Sequence, residues 1–510
     1  MKFNFVSRLP GFHTMSSQSQ HPDHPDEEDE EAIIGEGEAD EEFEGDEDVP
    51  MDDADDDEFF ALQNDSAAHF NHHKDSIFYI AQHPVHSSVV ATGGGDDLAY
   101  IWDSTPLPPP VLPTSYETSP QAPPERQSLP PIARLEGHTD SVNAVTFTLP
   151  HGTFIATGGL DGQLRVWRDA SAPASAPAQS WSFLSAVQEV EEVNWLAACP
   201  SPGHPNVVAL GADDGSVWVY EINAESSESP LGIVQAFYLH TASCTAGCWT
   251  PDGRLLATVS EDGSLYVWDV WGDAGASGML AGTGAQYVVG MTGEDERFRV
   301  EGGLYSVAIS PGGALCAVGG ADGMIRVVGL PRFTSESSAG AGARGEGAKS
   351  KAGGAKRATA SSSAGQAGQI LASLQAQEES VETITFSAPP LTIMAAGSVD
   401  GTIVLFDAAH NFAVRRKIEE AHDEEAVIQV QFVKAGPTGA DGYLLTSCGN
   451  DGVVRRWDCR GGTTADGKGL VREWRGHRGG GDGGGVLGFV QRDGKIVTAG
   501  DDAVSLVFQE

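Results

Sequence analysis

The stretch Gly159-Leu160-Asp161-Gly162-Gln163-Leu164-Arg165-Val166-Trp167 decides how this chain folds. Gln163 to Trp167 alternates polar and apolar side chains, the period-two pattern of a strand with one buried face. The Asp-Gly before it supplies the positive φ of a tight hairpin. On the other side of that hairpin, Phe154-Ile155-Ala156-Thr157-Gly158 reads as a strand. Earlier still, Ser141-Val142-Asn143-Ala144-Val145-Thr146-Phe147 alternates as a third. A fourth, Ile132-Ala133-Arg134-Leu135, precedes a Gly-His pair.

This unit recurs. An aspartate stands six residues before an apolar or aromatic position eight times: Asp96/Trp102, Asp161/Trp167, Asp214/Tyr220, Asp262/Trp268, Asp322/Val328, Asp400/Phe406, Asp451/Trp457 and Asp502/Phe508. A strand-rich repeat longer than about forty residues, closing on Trp-Asp in its fullest copies, is the signature of a WD-repeat β-propeller. The expected fold is therefore all-β, with eight blades. A seven-bladed ring with one degenerate unit outside is the alternative, because the fifth unit is weak and flanked by long insertions. The last unit stops on its third strand. The segment 66–71 stands where a leading strand would be, and is expected to pair with 504–508, closing the ring and removing exposed edges. The organisation expected is a disordered acidic tail over 1–64 and a propeller over 65–510.

Within a unit, the Asp orients a His from the preceding loop, which links on to a Ser or Thr and the Trp. Blades one, two, four and seven hold full tetrads: His73/Thr92/Asp96/Trp102, His138/Thr157/Asp161/Trp167, His240/Thr258/Asp262/Trp268 and His422/Ser447/Asp451/Trp457. Blade eight keeps His477, Thr498 and Asp502 but ends in Phe508. Blades three, five and six lack the His, with Leu210, Val318 and Ala396 in the hydroxyl slot. The polar members are expected to leave together, since a half-satisfied buried network is worse than an apolar one. A His-Ser-Asp set invites a hydrolase reading. An enzyme has no reason to build its triad four times, so the sets are read as structural and no catalytic residue is assigned.

Composition narrows the partners. The net charge is −43, which argues against nucleic acid or an anionic membrane as direct partner. Residues 23–58 hold 22 Asp and Glu and no Lys or Arg. Such a tract stays disordered. It is either a solubilising tail or an arm that attracts a basic protein. Residues 59–510 remain acidic, with 51 Asp and Glu against 28 Lys and Arg. Six cysteines, no signal peptide and no long apolar run suggest a reducing compartment. Cys244 and Cys248 have a zinc-like gap, but no second pair completes a site. No metal or cofactor is expected. Gly462–Gly469 resembles a phosphate loop, yet Gly469 replaces the required Ser or Thr and the context is wrong. The insertions 104–131, 170–179 and 335–368 all follow a third strand, and should emerge on the bottom face.

On the opposite, top face, the loops leading into the first strands carry Asp75, Asp140, Glu191, Glu192, Glu379, Glu424 and Glu425. The hairpins between second and third strands add Asp213 and Glu261. These residues are separate from the eight structural aspartates. Crowded carboxylates repel one another, and a basic ligand relieves that cost.

Several stretches in order go beyond a generic propeller. They are the acidic tract, His73-Lys74-Asp75-Ser76-Ile77-Phe78, Ala91–Trp102, Glu191-Glu192-Val193-Asn194-Trp195 and Ala396–Ile403. Together they resemble the angio-associated migratory cell protein family. Its fungal members are the suppressor-of-QSR-truncations proteins, ribosome-assembly chaperones. The resemblance implies a monomeric, cytoplasmic, non-catalytic chaperone. Its acidic top would hold the basic N-terminal segment of one large-subunit ribosomal protein (L-ten in the older eukaryotic naming) until it joins the pre-60S particle. A histone or general basic-protein chaperone is one alternative; histones offered as competitors separate the two. A signalling scaffold linked to cell migration is another, and would tolerate loss of the acidic top.

Overall fold

The alternating run of the founding repeat forms the strand Gln163–Asp169, with Leu164, Val166 and Trp167 buried. The computed structural model describes residues 63–107, 127–171, 180–226, 228–333, 367–434, 440–460, 469–479 and 483–510. The acidic tract, most of the three insertions and the phosphate-loop lookalike lie outside these residues.

Eight four-stranded antiparallel sheets are present. In seven of them the strands follow one another in sequence order. Neighbouring inner strands touch in the same order, and Val486–Arg492 touches Ile77–Gln82 to complete the circle. The weak fifth unit is a full blade of Leu304–Ile309, Leu315–Gly320, Met324–Gly329 and Ile370–Gln375. The ring therefore has eight blades, not seven. The eighth sheet borrows its outer strand from the chain start. Ala68–Phe70 pairs with Ser505–Gln509 in the register Ala68↔Val507, His69↔Leu506 and Phe70↔Ser505. Phe70 is fully buried and stacks on Trp102 at 4.7 Å, so this strand carries core as well as hydrogen bonds.

Second strands such as Val89–Gly94, Phe154–Gly159 and Leu255–Ser260 are buried at every position. Each lies between two neighbouring blades, so both faces need apolar or small side chains. Every inner strand carries a register shift at its second residue, as between Ile77 and Tyr79 or Val142 and Ala144. Several of these bulged residues latch one blade to the next. Asn143 donates to the Val193 carbonyl at 3.1 Å, Asn194 to Ser243 Oγ at 2.8 Å and Thr245 to the Leu304 carbonyl at 2.6 Å.

The tetrads vary more than their residues suggest. His73, His138, His422 and His477 each bond an Asp through Nδ1. Through Nε2 they meet the hydroxyls of Thr92, Thr157, Ser447 and Thr498 respectively. The expected direct Asp–His bond is absent in blade four. Ser264 intervenes, 2.6 Å from His240 Nδ1, while Asp262 stands 3.9 Å away. A serine two residues after the Asp is close enough to bond both groups. The link to Trp is made in blades four and seven, by Trp268 to Thr258 and Trp457 to Ser447. The full tetrad expected of His73, Thr92, Asp96 and Trp102 needs correction. Thr92 is fully buried and meets His73 at 2.9 Å, yet Trp102 Nε1 has no partner, so the link from Trp102 to Thr92 is missing. The indole is held instead by its stacking on Phe70, and blade one is a triad of His73, Thr92 and Asp96.

The expectation that polar members leave together also needs correction in blade six. There Gln377 is buried and donates to the Thr402 carbonyl, with Thr402 Oγ1 on Asp400. An amide thus replaces the imidazole. Blades three and five bury Val190 and Phe298 from their leading loops, but blade five also buries Arg326, which donates to the Arg297 and Arg299 carbonyls at 3.1 Å.

Burial would raise Asp96, Asp161, Asp262 and Asp451, but hydrogen bonds from His73, His138, Ser264 and His422 outweigh it, and all four carboxyls sit below the ordinary range. Burial pushes His83 and His240 down to about 4 and also lowers His422. These imidazoles are neutral in the ring and bind protons more readily in the unfolded chain. Stability is thus fully present above the ordinary His value of 6.5 and is lost as pH falls towards 4. The aspartates add a further loss only below the ordinary carboxylate range. Stability is expected to fall between pH 7 and pH 5, by about 1 kcal/mol per pH unit each for His83 and His240, and the melting temperature drops with it. A scanning-calorimetry series at constant ionic strength measures it, and a flat profile across that window would contradict the assignment.

Candidate functional site

Eight equivalent backbone hydrogen bonds define the top face. The tip of each second-to-third-strand hairpin donates its N–H to the residue just before an inner strand. Gly95 bonds Ser76, Leu160 bonds Ser141, Asp213 bonds Glu192, Glu261 bonds Ser243, and the same pairing continues to Asp501 on Gly485. The bond puts both loops of a blade side by side at the channel mouth. Side chains at either position therefore project from one surface.

The acidic candidates fall into groups on this surface. Asp140, Glu191, Glu192, Asp213 and Glu261 are exposed, and form no ion pair among the described residues. They also feel one another. Partial burial and then Asp213, Asp140 and Glu191 raise the Glu192 carboxyl, and burial with Asp213 raises Glu261. Blades two, three and four thus share a continuous carboxylate arc. Asp75, also exposed, accepts the Ser76 N–H at 2.8 Å, while Ser76 Oγ bonds Asp501. Glu379 is exposed and its carbonyl accepts from Ser398 at 3.0 Å. Glu424 ends the short strand Ala421–Glu424, and Glu425 follows it half-buried. Blade seven is not purely anionic. The buried Arg455 bonds Asp451 and Glu473 and lies 3.7 Å from Asp423.

Four rim residues escaped the sequence reading. Asp97 occupies the hairpin position with φ 62, where blades two to seven place glycine. Its carboxyl is raised by burial and then by Asp140, Asp96 and Asp161, which joins blade one to the arc. An aspartate where six blades use Gly was a readable signal, since left-handed backbone strains a side chain. Asp501 was readable too, standing in blade eight where Asp213 and Glu261 stand in theirs. Tyr305 and Glu382 were not readable, because their place follows from the bulge in each inner strand. Burial pushes the Tyr305 hydroxyl up to about 12, with Glu261 and Glu382 adding to it.

The arc offers fixed negative potential, and suits extended basic ligands. Among the described residues no group of three or more His, Cys, Asp or Glu could hold a metal ion. The six cysteines are free, and burial raises Cys244 to about 12 and Cys248 to about 11. No described helix is long and apolar enough to cross a membrane.

Fold and rim define an eight-bladed WD-repeat propeller with an anionic top face. The WD40 family (WD domain, G-beta repeat) matches residues 64–103, 129–168, 232–269 and 297–328. The Saccharomyces cerevisiae ribosome assembly protein SQT1 is 30% identical over 245 residues, covering 46% of this chain and 47% of that protein. The human angio-associated migratory cell protein is 25% identical over 421 residues, covering 81% of this chain and 74% of that protein. The crystal structure of Chaetomium thermophilum Sqt1 bound to the N-terminus of ribosomal protein L10 is 48% identical, with a TM-score of 0.73. That match covers 88% of this chain and the whole of the other. The chain belongs to the Sqt1 family of WD-repeat proteins.

Proposed function

We propose that this chain is a dedicated, non-catalytic chaperone that holds the basic N-terminal segment of ribosomal protein L10 on its acidic rim. It keeps that segment shielded in the cytoplasm until L10 joins the pre-60S particle. The observation that carries this reading is the arc from Asp97 through Asp140, Glu192 and Asp213 to Glu261, in which burial and then the neighbouring carboxylates raise Asp97, Glu192 and Glu261. A cationic segment lying across the arc removes that repulsion, which converts the strain of the free rim into affinity. A relative with 48% identity was crystallised with the L10 N-terminus, which supports the choice of client. The fit to an enzyme is poor, because the repeated His–hydroxyl–Asp sets are buried between blades and serve packing.

Calorimetric titration of the chain with the L10 N-terminal segment, at two salt concentrations, tests the reading. Tight binding that weakens steeply with salt is expected. No binding, or affinity indifferent to salt, would overturn it and return histones and signalling partners to consideration.

A further inference from the structure

At the outer end of the acidic arc the surface changes character. The blade outer strands end on buried Phe70, Leu135, Phe237 and Trp474, and the tetrad histidine follows three residues later. The two positions between are Asn71-His72 in blade one, Glu136-Gly137 in blade two and Arg475-Gly476 in blade eight. Blade four has Tyr238-Leu239 instead, 63% and 44% exposed. The fold asks nothing apolar of these positions, as the other three blades show. Two adjacent large side chains in water there need a different reason.

Tyr238 does not stand alone. Its ring meets Trp218 edge to face at 5.7 Å. Trp218 is itself held, since its Nε1 donates to Ser216 Oγ at 2.9 Å, and Ser216 donates to Asp214 at 2.6 Å. In blade three no histidine covers that aspartate, so Asp214 is exposed, unlike its counterparts in the tetrads. Glu189, also exposed, acts on Tyr220 together with Tyr238. Neither Glu189 nor Asp214 forms an ion pair among the described residues. Asp214 directly follows Asp213, a member of the arc, so the two surfaces are continuous.

We propose that Tyr238 and Trp218, with the carboxylates of Asp214 and Glu189 beside them, form a subsite for an arginine of the bound basic segment. The inference rests on the proposed function, and adds what the rim recognises. A guanidinium is flat and weakly hydrated, so it lies on an aromatic face while its N–H groups reach carboxylates at the edge. A lysine ammonium keeps its water and gains less from the same surface. The rim therefore reads charge everywhere and arginine beside blade three.

The test uses the full chain and two probes: the L10 N-terminal segment, and the same segment with every arginine replaced by lysine. The native chain is expected to prefer the arginine form. Tyr238→Ala should reduce that preference about fivefold, a typical loss of one cation–π contact. The affinity for the lysine form and the salt dependence should stay unchanged, while Tyr238→Phe should behave as native. Tyr238 is exposed, so neither substitution disturbs the core. Full arginine preference in Tyr238→Ala, with tight binding intact, overturns the subsite and leaves the chaperone reading standing. Failure of both probes to bind the native chain removes the chaperone reading and the subsite with it.

Discussion

A chain carrying Asp140→Lys, Glu192→Lys and Asp213→Lys is expected to bind the L10 N-terminal segment at least about a thousandfold more weakly than the native chain. Each reversal replaces an attraction with a repulsion at close range, where charge pairs across an interface couple by roughly 1.5–7 kcal/mol. Three such changes in the centre of one arc leave ample margin for screening by water. All three side chains are exposed, and they lie outside the packed blades, so melting temperature should change little. The dependence of affinity on salt should flatten at the same time, because fewer ionic contacts remain. A folded triple variant that binds as tightly as native would show that the client uses another face.

The second large effect concerns the ring itself. His422→Ala is expected to cost about 3–5 kcal/mol of stability, read as a lowered urea midpoint. His422 is fully buried and bonds Asp451 at 2.8 Å and Ser447 at 2.7 Å. Ser447 in turn accepts from Trp457 at 2.8 Å. Removing the imidazole opens a cavity and strips a partner from each end of that chain. Arg455 still faces Asp451, but cannot reach the serine side of the gap. His240→Ala should cost less, about 2–3 kcal/mol, because Ser264 continues to hold Asp262. Equal losses in the two variants would mean that the serine relay of blade four carries no load.

Blade four shows why that difference could not be read beforehand. His240, Thr258, Asp262 and Trp268 have the same residue types and nearly the same spacing as the other complete sets. Only the position of Ser264 Oγ, between the imidazole and the carboxylate, reveals a different wiring. Blade one repeats the lesson at the other end of the set, where Thr92 and Trp102 stand at the right interval and do not bond. Blade six makes the complementary point. A glutamine is ordinary in a loop, yet the burial of Gln377 and its bond to Thr402 give it the histidine's place.

The sequence by itself determined the architecture. Period-two alternation, Asp-Gly hairpins and the recurring Asp-to-Trp interval are local signals, and eight copies of a unit that cannot bury its own faces require a ring. It also determined the sign of the surface charge, since no fold can neutralise an excess of 43 acidic groups. Tertiary structure alone decided which carboxylates act together. Asp97, Asp140, Glu192, Asp213 and Glu261 come from four blades and meet only because the hairpin-to-loop bonds bring them to one edge. Blade seven offered acidic residues on equal terms, and the buried Arg455 offsets them there. The aromatic patch of Trp218 and Tyr238 was likewise invisible, because its partners are twenty residues apart, one on a strand and one in a loop. Electrostatic and aromatic contacts fall off within a few ångströms, so their grouping depends on how the chain is folded, not on where the residues stand along it.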